Sequence, residues 1–168
     1  MSIDASALAI IGGTPGVLRG LLVGLPETVV LAPNDEGWSL KDIVAHLHDV
    51  ETGAMLERIR RMLREERPFI RSIDPPARLV AGGYAGRALE ELLTDIGKQR
   101  AEHARWLEGL TPAELLREGE HDEVGLIRVI DIAHQWAAHD MDHLRQMSLM
   151  IQQYLAPKMG ATRGFYDV

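Results

Sequence analysis

Four stretches of this chain repeat their apolar residues at three- and four-residue steps and none alternates convincingly, which commits it to amphipathic helices packed on one another. The longest is expected from Glu123 to Leu155, capped by Asp122, with Leu126, Ile130, Ala133, Ala137, Leu144, Ser148, Ile151 and Leu155 as its core line. The first runs from Asp4 to Leu25 and presents Leu8, Ile11, Val17, Leu18, Leu21 and Leu22. Gly12, Gly13 and Pro15 predict a kink or a late start there, with Thr14 as N-cap and Pro15 in the first turn of the main segment. Pro26 stops this helix, and the link from Glu27 to Trp38 reads as polar and irregular. Ser39 then caps a second helix, expected from Leu40 to about Arg64, with Asp42 completing a variant of the capping box.

Between Glu65 and Gly83 the chain carries Pro68, Pro75, Pro76, Gly82 and Gly83 without a sustained period, so a long crossover loop is expected. Loops of that length inside a compact domain are uncommon and often functional. The third helix is expected from about Tyr84 to Leu110, turning Leu89, Leu92, Leu93, Ile96, Ala104 and Leu107 inward. Thr111, Pro112 and Glu114 predict one further helical turn before Gly119. The fold class implied is all-α, a four-helix bundle, with one domain over residues 1–156 and an irregular tail over 157–168. A chain of 168 residues suits one well-buried core.

The last helix also carries the chemistry. In Asp131–Met147, DIAHQWAAHDMDHLRQM, His139 and His143 stand four residues apart with no helix breaker, so both imidazoles project from one face, one turn apart. That is ligand spacing for a metal. Their flank carries Trp136, Met147, Met150 and Tyr154 at the edge of the core line. His134 lies about 180° around the helix from His143, so a third ligand must come from another segment. The second helix offers His46 and His48, each about 100° from the centre of its apolar stripe on opposite edges, and periodicity does not choose between them.

Composition narrows the chemistry further. With no cysteine, disulfides, thiolate metal sites and a cysteine nucleophile are excluded. A net charge of −7 argues against general nucleic-acid binding. The start, MSIDASALAII, lacks the basic residues of a signal peptide, and no apolar run is expected to approach the roughly 18 residues that span a bilayer, so a cytoplasmic protein without a membrane partner is the expectation.

Two motifs together, Trp38-Ser39 followed by His46-Leu47 and Glu51, and His139-Asp140-x-x-His143-Leu144-x-Gln146, resemble the DinB-like (DinB/YfiT) family over nearly the whole chain. The resemblance implies a bundle of the DinB/YfiT type with a long connection between its second and third helices, commonly a homodimer. It also implies a three-histidine site for a divalent metal such as nickel or zinc, and carried over by motif the ligands are His46, His139 and His143. Relatives include bacterial low-molecular-weight thiol S-transferases. The function implied is a metal-dependent enzyme, a thiol S-transferase or hydrolase, that activates water or a low-molecular-weight thiol cofactor. The alternative is a non-catalytic metal-binding or vestigial-site bundle acting through dimerisation or partner binding.

Glu51, Asp140 and Asp142 are candidates for carboxylates that orient the imidazoles, or simply face solvent. His48, His103, His121 and His134 take structural roles in this reading, and Trp38 and Trp136 pack. Arg58, Arg60, Arg61, Arg64, Arg67 and Arg71 read as a solvated helix end interleaved with Glu57, Glu65 and Glu66. Only proximity to the metal site would make them an anion site for a carboxylate-bearing or phosphorylated cofactor.

Overall fold

A computed structural model describes residues 2–166. Its long helices are α1 (Ala5–Leu22), α3 (Leu40–Val50) continued through a π-helical turn (Glu51–Leu56) into α4 (Glu57–Arg64), α6 (Leu89–Glu108) and α8 (Val129–Leu155). Short helices fill the connections: α2 (Glu27–Val30), α5 (Pro75–Ala81) and α7 (Pro112–Leu115). The protein is a four-helix bundle in which α1 packs against α6 and α8, and α3 packs against the same two helices from the other side. Two capping boxes form as the sequence predicts, Ser39 with Asp42 before α3 and Thr111 with Glu114 before α7.

Helix α1 neither starts late nor breaks. Asp4 caps it, accepting from Ser6 N at 2.8 Å, and Pro15 lies inside it. Proline removes the N–H that would have bonded the carbonyl four residues earlier, here Ile11. That carbonyl instead accepts from Arg100 Nη1 at 3.3 Å, so the helix continues through the proline with its free acceptor satisfied. Helix α1 is also long and apolar enough to cross a membrane by length and composition, which corrects the expectation that no run approaches that length. In the fold Ile11, Leu18 and Leu22 pack in the bundle core.

The fourth helix starts six residues later than expected. Residues Glu118–His121 (β2) and Gly125–Arg128 (β3) form an antiparallel hairpin, and Phe69–Ile70 (β1) pairs in parallel with β2, giving the order β1-β2-β3. Gly125 takes φ +74, a left-handed conformation open to glycine at low cost, and closes the turn at the His121–Gly125 pair. Asp122 is therefore a hairpin residue and not a helix cap: its carboxylate accepts from Ser72 N and Oγ, tying the crossover segment to the turn. Leu126, expected in the core, lies on the strand and is exposed, as are Ser148 and Leu155. Trp136 and Met147, placed at the edge by periodicity, are fully buried. The crossover contains β1 and α5, the latter capped by Asp74. Beyond α8, Ala156–Lys158 and Gly160–Phe165 form 3₁₀ turns.

The core has two apolar halves. One gathers Ile11, Val50, Met55, Ile59, Leu107, Ile132 and Trp136; the other gathers Leu18, Ile43, Leu47, Leu92, Ile96, Leu144 and Met147. Between them every long helix contributes a buried polar side chain: Thr14 from α1, Glu51 from the π turn, Arg100 and His103 from α6, Asp140 from α8. Arg100, Glu51 and Asp140 are each 0% exposed. Arg100 Nε donates to Glu51 Oε2 at 2.9 Å, and its Nη1 donates to Asp140 Oδ2. Glu51 Oε1 lies 2.6 Å from His103 Nδ1, and since a carboxylate only accepts, the imidazole donates there. Trp136 offers its ring face to the guanidinium, 5.2 Å from the centroid.

Candidate metal centre

On α3, His46 follows Ile43 and Val44 into the bundle, one turn before the π turn that carries Glu51 into the core. On α8, His139 and His143 stand one turn apart, each followed by a buried residue, Asp140 and Leu144. The structure brings His46, His139 and His143 together, with one potential ligand atom of each lying within 4.8 Å of the others. His46 Nε2 and His139 Nε2 are 3.1 Å apart. The ring centroids stand 5.1 Å apart for His46–His139, 4.8 Å for His46–His143 and 4.5 Å for His139–His143.

That spacing fits a shared cation. Two nitrogens each about 2.1 Å from one ion, subtending roughly 90–110°, lie about 3.0–3.4 Å apart. The protonation states fit as well. Burial, reinforced by the charges of His143 and His139, pushes the His46 imidazole down to about 3. Burial, then His143 and Arg100, push His139 down to about 4. Both rings are therefore neutral at neutral pH, the state in which an imidazole can ligate. His143 Nδ1 lies 2.9 Å from Gln146 Oε1; the amide oxygen accepts the Nδ1 proton and leaves Nε2 with its lone pair free. The Nδ1 atoms of His46 and His139 are buried without a hydrogen-bond partner.

Two members of the cluster, His46 and His143, line a cleft of about 520 Å³ together with Trp38, Gln146 and Met150. Trp38 packs edge-on against His46, with centroids 5.4 Å apart, so it buttresses the ring and lines the cleft at once. His48, two residues from His46, leaves the cluster altogether: its Nδ1 lies 3.0 Å from Tyr84 Oη, beside the Asp49–Arg78 ion pair at 2.5 Å. Exposure does not separate the two, at 5% and 8%; direction does. His134 Nε2 accepts from Asp4 N, His103 bonds Glu51, and His121 Nδ1 accepts from Glu123 N.

The three candidate orienting carboxylates do other things. Glu51 and Asp140 belong to the Arg100 layer beneath the cluster, and burial holds the Asp140 carboxyl above its usual range although Arg100 opposes the shift. Asp142 is exposed, lines the cleft and pairs with Arg145 at 2.8 Å, which keeps its carboxyl low. The arginines of α4 and the crossover pair locally, Arg61 with Glu65, Arg64 with Glu57 and Arg67 with Glu118, and none of Arg58 to Arg71 lines the cleft. The anion-site reading thus loses the proximity it required. Sequence reasoning passed over Arg100, whose signal was a charged residue in register with Leu92, Ile96 and Leu107 on the apolar stripe of α6.

Residues 12–147 match the DinB superfamily. Among solved structures the fold is similar to YfiT from Bacillus subtilis, with a TM-score of 0.81 and 19% identity over 91% of this chain and 90% of that one. YfiT is described as a probable metal-dependent hydrolase with an unusual four-helix bundle topology. No curated protein matches the chain.

Proposed function

The chain belongs to the DinB superfamily, and from that premise we propose that His46, His139 and His143 hold one divalent cation, nickel or zinc, at the base of an active-site cleft. The observation that carries this reading is the convergence of three imidazoles from two helices, two of them kept neutral by burial. A cation there would lower the pKa of a coordinated water or low-molecular-weight thiol, supplying a nucleophile at neutral pH. The activity proposed is a metal-dependent hydrolase or thiol S-transferase, in keeping with what is said of YfiT.

The chain's own residues have separable tasks in this reading. Gln146 fixes the His143 tautomer, and Trp38 fixes the His46 ring plane. The Arg100 layer keeps Asp140, the neighbour of His139 in sequence, fastened to the core, so that α8 presents its two histidines from a rigid turn. The reading includes a homodimer, checked by light scattering, in which a monomer mass at all micromolar concentrations overturns that part alone.

Elemental analysis of protein purified without chelators tests the centre. Near one divalent ion per chain is expected, with most of it lost in His143→Ala; full occupancy in that variant overturns the assignment. Parallel assays of a chromogenic ester and of thiol conjugation to bimane then separate the hydrolase from the transferase.

A further inference from the structure

The cleft at the histidines does not end at its own walls. A second cavity of about 240 Å³ adjoins it, and Asn34, Met150 and Gln153 line both. Beyond those three residues the two differ in kind. Asp35, Glu36, Asp142 and Arg145 stand around the first, whereas none of the described residues lining the second is charged. Its lining includes Val29 and Leu40, both buried in the core where α2 meets α3, together with Ala32 and the exposed ring of Tyr154.

Helix α8 relates this cavity to the histidines. His143, Gln146, Met150 and Tyr154 follow one another at three- and four-residue steps, so one face of the helix leads from the cluster into the cavity. At about 1.5 Å per residue, Met150 lies roughly 10 Å along the axis from His143, and Tyr154 roughly 16 Å. An extended alkyl chain advances about 1.3 Å per bond, so about eight carbons reach the cavity from the cluster and about twelve cross it. The walls are held before any ligand arrives. Asn34 Oδ1 accepts from Glu36 N and Trp38 N, and the Tyr154 ring carries Lys158 Nζ 3.4 Å from its centroid. Hydrocarbon laid on such a surface removes apolar area from water on both sides.

We infer that this cavity is a tail subsite, taking the unbranched alkyl chain of a neutral substrate whose reactive end stays at the histidines; the inference rests on the reading of the adjoining cleft as the substrate site. The substrate class is a medium-chain acyl or alkyl compound of about eight to twelve carbons. Val29, Leu40 and Tyr154 are the specificity elements, and Asn34, Met150 and Gln153 join the two sites. Shorter substrates occupy the cleft alone and forgo the burial.

The test uses the full chain. Alkanehydroxamates from butanoyl to dodecanoyl, below their micelle concentrations, are titrated into zinc-loaded protein and hexanol into metal-free protein, with the Met150 methyl resonance as readout in both. Affinity is expected to rise about three- to fourfold per methylene through the hydroxamate series. Ala32→Trp, which fills the cavity from its exposed rim, is expected to keep the gain up to octanoyl and remove it beyond. Tyr154→Glu is expected to do the same by placing a charge in the wall. Hexanol is expected to shift Met150 saturably in wild type and in neither variant. A series that is flat beyond octanoyl, or a gain there that survives both variants, overturns the inference. So does a Met150 resonance that moves on dilution and with no probe, which assigns the recess to a second copy of the chain. Failure to load zinc with the hexanol response intact sinks the metal reading and leaves the subsite standing; zinc loading with a flat series does the reverse.

Discussion

The guanidinium of Arg100 donates to the carbonyl of Ile11 at 3.3 Å, the acceptor that Pro15 leaves without a helical partner, while the same side chain bonds Glu51 and Asp140. One residue of α6 therefore closes a gap in α1 and neutralises buried charge from α3–α4 and α8. Removing it strands two carboxylates and one carbonyl in the core. Arg100→Met is expected to destabilise the protein by about 3–5 kcal/mol in chemical denaturation. Adding Glu51→Gln and Asp140→Asn to that variant is expected to recover at least half of the loss, because the uncompensated charges go with the guanidinium. A loss below about 1 kcal/mol for Arg100→Met would show that the layer contributes little.

That layer also shows where the sequence stops being legible. The capping boxes at Ser39 and Thr111 were readable because a cap is a contact between residues three apart. The His139–His143 pair was readable for the same reason, since four residues fix one helical turn. The continuity of α1 through Pro15 was not, because the donor that rescues it stands 89 residues away. Nor was the 118–128 hairpin, whose β3 apolar residues Leu126 and Ile127 run into Val129 and Ile130 and prolong a helical pattern that the Asp122–Gly125 turn in fact interrupts. His46 and His48 were tied by periodicity, and only the family motif chose between them.

Gln146 supplies the one hydrogen bond that fixes a tautomer in the cluster. Gln146→Leu frees the His143 ring to rotate and to protonate Nε2, and is expected to weaken zinc affinity by about 10–100-fold while leaving the fold intact. Gln146→Glu keeps an acceptor at the same place and is expected to restore binding. Competition with a chromogenic chelator measures both, and equal affinity in wild type and Gln146→Leu would remove Gln146 from the centre.

Acid should destabilise the metal-free protein over a defined window. His46 and His139 have folded values of about 3 and about 4, below the ordinary value of 6.5. Above that ordinary value both states are neutral and neither histidine costs anything. As pH falls through it, the unfolded chain takes up protons that the folded chain refuses, so stability falls with pH until the folded groups titrate. Between pH 6 and 4.5, unfolding midpoints should drop more steeply for wild type than for His46→Gln. Parallel slopes would mean that His46 is not held neutral by the fold.

The two histidines of α3 give the sharpest separation. His46 Nε2 lies 3.1 Å from His139 Nε2, whereas His48 turns to Tyr84 Oη at 3.0 Å on the far side of the helix. If the cluster is the metal centre, His46→Ala leaves two imidazoles, below the three protein ligands that an open site ordinarily uses, and affinity should fall by orders of magnitude. His48→Ala removes a hydrogen bond to Tyr84 and is expected to cost about 1 kcal/mol of stability with metal affinity unchanged. Zinc titrations of the two variants beside wild type decide the matter. A loss of affinity in His48→Ala with binding retained in His46→Ala would place the ion on the other face of α3 and remove the three-histidine centre.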